Sequence, residues 1–345
     1  MKDVIGKLDE WRNTDQELAL ITVVETWGSA PRPVGSKMVT SKAGGIAGSV
    51  SAGCVEGAVI QEAEFVIGSG IPRTVEYGVA DETAWEVGLA CGGKIKVFIE
   101  PGFAIDSIYD ELHKNLSEGI PFATITYLSG PDELKNRKLL VQANSQYTGD
   151  LPHTGPMGDF LKIGVDYLQQ EKSGVLSLPD GSEVFIETHP LPPKLVIIGA
   201  VHLSDYLVTM ANSVGFETIL IDPREAFANR DRFPLVDQLI QSWPQDALSQ
   251  IQINKHVYIT VLTHDPKLDD PALIYALKSP AGYVGALGSR RTNEKRLERL
   301  KQAGLSDQDL SRLHAPIGLD LGGRTSSEIA VSIIAEIIKV RNTSS

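Results

Sequence analysis

The pattern of apolar and polar positions divides the chain into three regions. Over residues 1–102, strand-like runs at 18–26, 37–41, 73–77 and 94–100 are separated by glycine-rich turns. One segment there, 54–67, has helical spacing. Val55, Val59, Ala63, Val66 and Ile67 recur every three or four positions, with Glu56 and Glu64 on the opposite side. Residues 103–192 predict helices over 106–117 and 159–170, a strand over 122–128, and a hairpin at Pro179-Asp180-Gly181. Leu191-Pro192-Pro193 marks a boundary. From 193 to 345, strand and helix alternate. Strands are predicted at 195–198, 218–221, 238–241, 257–262 and 283–286, with a last one at 317–319; helices span 270–277, 292–302 and 327–340. Short continuous Val/Ile/Leu runs are the mark of parallel strands buried on both faces, with right-handed crossovers laying helices on each side. The fold expected is therefore α/β, with a Rossmann-like doubly wound parallel sheet at the C-terminal end and an α+β N-terminal domain. No internal repeat is visible.

In the last region, the strand near 195–198 runs into Gly199-Ala200-Val201-His202-Leu203-Ser204. This is the place of a dinucleotide turn, G-x-G-x-x-G/A, whose second glycine lets the backbone approach a pyrophosphate. Val201 and Ser204 stand at the second and third glycine positions, which weakens NAD(P) binding, while Asp222 lies where an acidic residue grips a ribose hydroxyl. Gly199 and Asp222 serve equally well as simple strand-end residues. Ligands bind at the carboxyl ends of such strands, and three more ends carry polar groups: Thr263-His264-Asp265, Gly288-Ser289-Arg290-Arg291-Thr292, and Asp320. Arg290 and Arg291 at a helix start fit a phosphate or oxyanion, whereas Lys295, Arg299 and Lys301 read as a solvated basic face. His264 is either structural or a proton-transfer group.

Two N-terminal segments also bear chemistry. Gly28-Ser29-Ala30-Pro31-Arg32-Pro33-Val34-Gly35 is a stiff loop, and Gly48-Ser49-Val50-Ser51-Ala52-Gly53-Cys54-Val55-Glu56 leads into the 54–67 helix. Small residues before a helix leave N–H groups free for an anion, and a thiol in the first helical turn is favoured as thiolate. Cys54 is thus a candidate reactive thiol or soft-metal ligand. Cys91, followed by Gly92-Gly93, is a second. Both fit equally as small buried hydrophobes, and two cysteines do not complete a structural zinc site.

Composition narrows the classes. A net charge of −12 over 345 residues argues against a nucleic-acid binder. Two cysteines imply no disulfide framework and fit a reducing compartment. The N-terminus is polar, unlike a signal peptide, and no apolar run approaches the roughly 20 residues of a membrane span. A soluble, cytoplasmic protein is expected, as a homodimer if oligomeric.

The motifs carry a resemblance. Glu25-Thr26-Trp27-Gly28-Ser29-Ala30-Pro31-Arg32 with Gly35, Ser51-Ala52-Gly53-Cys54-Val55-Glu56 and Cys91-Gly92-Gly93 resemble the XdhC/CoxI family, accessory factors of xanthine dehydrogenase and related molybdenum hydroxylases. So do Ile221-Asp222-Pro223-Arg224, Leu262-Thr263-His264-Asp265-Pro266, the run from Gly285 to Thr292 and the run from Pro316 to Gly322. Val201 departs from the family's usual Gly-Ala-Gly-His turn, while His202 is kept. The resemblance implies a chaperone that binds molybdenum cofactor, assists its sulfuration by a cysteine desulfurase and helps insert it into the hydroxylase. Some members are labelled xanthine dehydrogenase, but this chain is too short for that enzyme and lacks the cysteines of its iron–sulfur clusters.

Joined to the residue chemistry, this implies a cofactor site made of Gly53, Cys54, Glu56, Cys91, Gly92, Gly199, His202, Asp222, His264, Asp265, Arg290 and Arg291, with Cys54 and Cys91 as contacts to metal or sulfur. The expectation is a shared crevice for an anionic pterin. The rival expectations are an NAD(P)-dependent oxidoreductase and a pure interaction scaffold.

Overall fold

The chain opens on a helix that its first residues encode without a strand-like pattern. In α1 (Lys2–Arg12), Val4, Leu8 and Trp11 share one side and all three are buried. The computed structural model describes residues 1–78, 93–150 and 157–343, and the chain forms two units, Met1–Leu191 and Pro192–Ser345.

In the first unit, β1 (Leu18–Trp27), β2 (Lys37–Ser41), β3 (Ile46–Gly48), α2 (Glu56–Ser69), β4 (Arg73–Tyr77) and β5 (Lys94–Pro101) form an antiparallel sheet of order β3-β2-β1-β5-β4. A 3₁₀ turn, Gly102–Ile108, leads to α3 (Tyr109–Glu118). Then β6 (Phe122–Ser129), β7 (Lys138–Gln142), β8 (Tyr147–Gly149), α4 (Met157–Gln170), β9 (Gly174–Ser177) and β10 (Glu183–His189) form a second sheet of order β8-β7-β6-β10-β9. Element for element the succession repeats: a helix, three strands, a helix, two strands. An internal repeat exists in topology where the sequence shows none.

Period-two alternation gives each sheet two apolar faces. One face of the first sheet packs under α2 through Ile21, Val23, Val59, Ala63 and Ile99. One face of the second packs under α4 through Ile125, Val141, Leu168 and Ile186. The remaining faces meet through Val24, Phe98 and Phe185, and α1 and α3 fill the flank through Val4, Leu8 and Leu112 against Leu20, Phe122 and Leu140. Each such aliphatic side chain contributes about 1.5–3 kcal/mol by leaving water.

The second unit contains β11 (Lys194–Ile198), α5 (His202–Ser213), β12 (Glu217–Ile221), β13 (Gln238–Ile240), α6 (Pro244–Ser249), β14 (Val257–Val261), α7 (Pro266–Lys278), β15 (Tyr283–Ala286), α8 (Arg290–Gln302), α9 (Asp307–Leu310), β16 (Leu313–His314) and α10 (Ser326–Thr343). The six strands pair in parallel in the order β13-β12-β11-β14-β15-β16. This is the doubly wound Rossmann order. α5 and α10 cover one face and α6, α7 and α8 the other. The last strand is Leu313–His314 rather than 317–319. Pro316 has no N–H to extend the ladder, and Ile317 buries its side chain instead. Among the described residues, no helix is long and apolar enough to cross a membrane.

Candidate functional site

The alternation of strand direction gathers the N-terminal motifs. With Trp27 opposite Lys94, Tyr77 opposite Ile95 and Met38 opposite Gly48, the segments 28–36 and 49–55 and the residue Gly93 all leave one edge of the first sheet. Gly93 lies directly on the 28–36 loop: a Cβ there would stand 2.7 Å from the Ser29 carbonyl carbon. Ala30, Val50 and Val55 anchor both loops in the same apolar cluster.

Glu56 organises the loop that carries Cys54. Its Oε1 accepts hydrogen bonds from Ser49 Oγ (2.6 Å) and the Ser51 N–H (2.9 Å), and its Oε2 accepts from the Gly53 N–H (2.8 Å) and the Ser51 hydroxyl. Burial alone would raise this carboxyl. The hydroxyls of Ser49 and Ser51 and the Ser51 N–H outweigh it and hold the group at about 2. Ala52, with φ +57°, takes the left-handed conformation that L-residues adopt at a cost of about 1–2 kcal/mol. The helix therefore starts two residues later than its apolar spacing suggests. Val55 is its N-cap, and Cys54 is an exposed thiol outside the first turn. It is not a core residue, and Glu56 is the loop's clamp. Cys91 and Gly92 lie outside the described residues. Among the described residues, no cluster of three or more His, Cys, Asp or Glu side chains is placed to hold a metal ion.

At the exit of β11 in the second unit, Gly199 has φ +115°, and a Cβ there would stand 2.6 Å from Thr263 Cγ2. The glycine is required for the two strand exits to pack. Asp222 is fully buried. It accepts from the Ala200 N–H (2.8 Å), the Arg224 N–H (2.9 Å) and the Arg224 guanidinium at Nε (2.9 Å) and Nη2 (2.6 Å). Burial pushes its carboxyl up, and Arg224 with the Ala200 N–H brings it below its ordinary value. Both oxygens are thus engaged inside the fold, so Asp222 secures the turn and offers no free carboxylate to a ribose. His202 is the exposed first residue of α5, its ring set edge-on to Tyr206 at 5.2 Å.

Between the exits of β14 and β15 lies a cavity of about 180 Å³. His264, Arg291, Thr292, Lys295, Arg296 and Arg299 are among its walls. Asp265 caps α7, accepting from the Lys267 N–H at 3.0 Å, so it fixes the helix beside the cavity. His264 takes φ +65°, a strained conformation held by the elements on either side. Ser289 caps α8, accepting from the Thr292 N–H at 3.2 Å. Underneath, Arg296 donates from Nη2 to Asp269 (2.9 Å) and to the Leu287 carbonyl (3.0 Å) and from Nη1 to Asn293, with both Arg296 and Asp269 buried. Arg290 opens the helix and is exposed, but is not part of the cavity wall.

Lys295 is exposed, as expected of a solvated face, and with the half-buried Arg299 it also shares a wall with Arg291. The sequence does hold the signal: positions 291, 295 and 299 recur every four residues and so lie on one side of a helix.

Residues 195–337 match the XdhC Rossmann domain, and residues 11–78 match the XdhC and CoxI family. The chain belongs to the XdhC and CoxI family. Over 343 residues it is 29% identical to a probable xanthine dehydrogenase subunit of Bacillus subtilis (strain 168), covering 97% of this chain and 96% of that protein. Over 332 residues it is 27% identical to the molybdenum cofactor insertion chaperone PaoD of Escherichia coli (strain K12), covering 93% and 83% of the two chains. The crystal structure of a xanthine dehydrogenase from Bacillus halodurans matches with a TM-score of 0.78 at 27% identity, covering 98% of this chain and 96% of that one.

Proposed function

We propose that this chain is an accessory factor that holds molybdenum cofactor as cargo and delivers it to a molybdenum hydroxylase such as xanthine dehydrogenase. The observation that carries the proposal is the exposed Cys54 thiol, held clear of the helix by the Glu56 clamp on the edge where the 28–36 and 49–55 loops meet. A soft thiolate suits molybdenum or its sulfur, and the pterin's dithiolene brings the remaining metal ligands. The name of the chaperone PaoD, a relative over most of the chain, points the same way.

Gly53 and Glu56 position the loop; Cys91 and Gly92 supply the second thiol segment. Gly199, Asp222 and Asp265 shape the turns that carry the second unit's polar residues, and His202, His264, Arg290 and Arg291 complete the proposal by orienting or pairing with anionic groups. Its partners are the hydroxylase and a cysteine desulfurase, its setting the cytoplasm, and its assembly a homodimer. No substrate turnover is required. The NAD(P) alternative is disfavoured by the engaged Asp222 and by Val201.

The test loads full-length protein with molybdenum cofactor and measures retained molybdenum after gel filtration. Cys54→Ala and Cys91→Ala should release most of it. Retention equal to wild type in both would refute the assignment.

A further inference from the structure

We infer that the cavity beside the N-terminus of α8 is a binding site for a phosphate monoester. Its volume of about 180 Å³ falls below the roughly 300–1,000 Å³ of sites that enclose a whole small molecule. It therefore takes one end group. Four cationic side chains and one carboxylate, Asp269, stand in its wall. That carboxylate is already committed, accepting from Thr263 Oγ1 at 2.5 Å and from Arg296 at 2.9 Å. Arg299 is held by Asp270 through two hydrogen bonds of 2.6 and 3.0 Å. The side chains of Arg291 and Lys295, by contrast, have no ion-pair or hydrogen-bond partner among the described residues, and both are exposed on the same side of α8.

Three further features converge on an anion. The Ser289 cap satisfies the Thr292 N–H and leaves that of Arg291, in the first turn of the helix, for a ligand. Arg296, also in the wall, has a buried Nε with no hydrogen-bond partner. His264, from the exit of β14, is also in the wall. Several cationic donors from α8, with His264 from the β14 exit, suit a doubly charged oxyanion better than a singly charged carboxylate. The inference does not depend on molybdenum cofactor as the cargo, because a nucleotide and a phosphorylated pterin share this end group.

The experiment is ³¹P line broadening of inorganic phosphate by the full-length chain, compared with Arg291→Ala, Lys295→Ala and Lys301→Ala. Lys301 lies on the same helix but pairs with Asp307, so its loss changes charge without touching the cavity. Losing one charged hydrogen bond should weaken binding about tenfold or more in the first two variants, with no change in the third. Absence of broadening in wild type, or equal weakening in all three variants, overturns the site. Adenosine 5′-monophosphate and phosphate-bearing molybdenum cofactor are then added as competitors. Displacement by either supports the site and identifies its source. Cys54→Ala should keep phosphate binding even where it loses molybdenum, which separates this inference from the one above.

Discussion

Lys37 of the first sheet and Glu187 of the second form an ion pair at 2.8 Å, with both side chains nearly or fully removed from water. The partnership is mirrored: Lys138 of the second sheet reaches Glu100 of the first, also at 2.8 Å. Each lysine also donates to a threonine on its own sheet, Thr22 or Thr126, at 2.9 Å. The strand registers are equivalent, Lys37 facing Thr22 and Lys138 facing Thr126. The repeated topology thus extends to individual side chains, and the charges are exchanged between the copies.

Removing one member of a buried pair strands the other. Lys37→Met should cost about 3–5 kcal/mol, and combining it with Glu187→Leu should recover most of that loss. Urea denaturation gives both values. A double variant no better than the single one would contradict the exchanged-pair account.

Acid should weaken the first unit through the same pair. Burial raises the Glu187 carboxyl, but Lys37 and His189 outweigh it and hold the group well below its ordinary 4.5. A depressed carboxyl contributes stability that is fully present above about 4.5 and declines as pH falls below it toward the folded-state value. The urea midpoint should therefore drop on that side, and the Lys37→Met/Glu187→Leu variant should drop less. Parallel curves for the two proteins would remove Glu187 from the explanation.

Two glycines should respond oppositely to alanine. At Gly93 the new Cβ meets Ser29 backbone at 2.7 Å, which has no flexible end to move, so a loss of about 1–3 kcal/mol is expected. At Gly57, inside α2, nothing lies within 4 Å, and alanine should stabilise by about 0.5–1 kcal/mol. Thermal melts of the two variants decide the matter; a Gly93→Ala melting point equal to or above wild type would show that the 28–36 loop does not constrain Gly93.

Nicotinamide dinucleotides should show no micromolar affinity in a fluorescence titration, since the Asp222 oxygens are engaged by Arg224 and the Ala200 N–H. Micromolar binding would return the chain to the oxidoreductase class.

The strands of the second unit are legible in the sequence because strands buried on both faces are continuous apolar runs, as in Val257–Val261. The short strands Ile46–Gly48 and Tyr147–Gly149 carry too few residues to show a period. The first helix does carry its spacing in Val4, Leu8 and Trp11, hidden among polar neighbours. The loop around Cys54 is recognisable by composition, but its Glu56 clamp is not: four hydrogen bonds from residues 49–53 are a matter of backbone path rather than spacing. Arg296 is likewise opaque, because its partner Asp269 comes from another helix.

The twofold layout of the first unit separates labour between two halves of the same topology. One half ends in the loops that present a thiol. The other ends in ordinary connections such as Pro179-Asp180-Gly181 and, through its interlocked lysine and glutamate, supplies a foundation against which the working rim can be altered without loosening the frame beneath it.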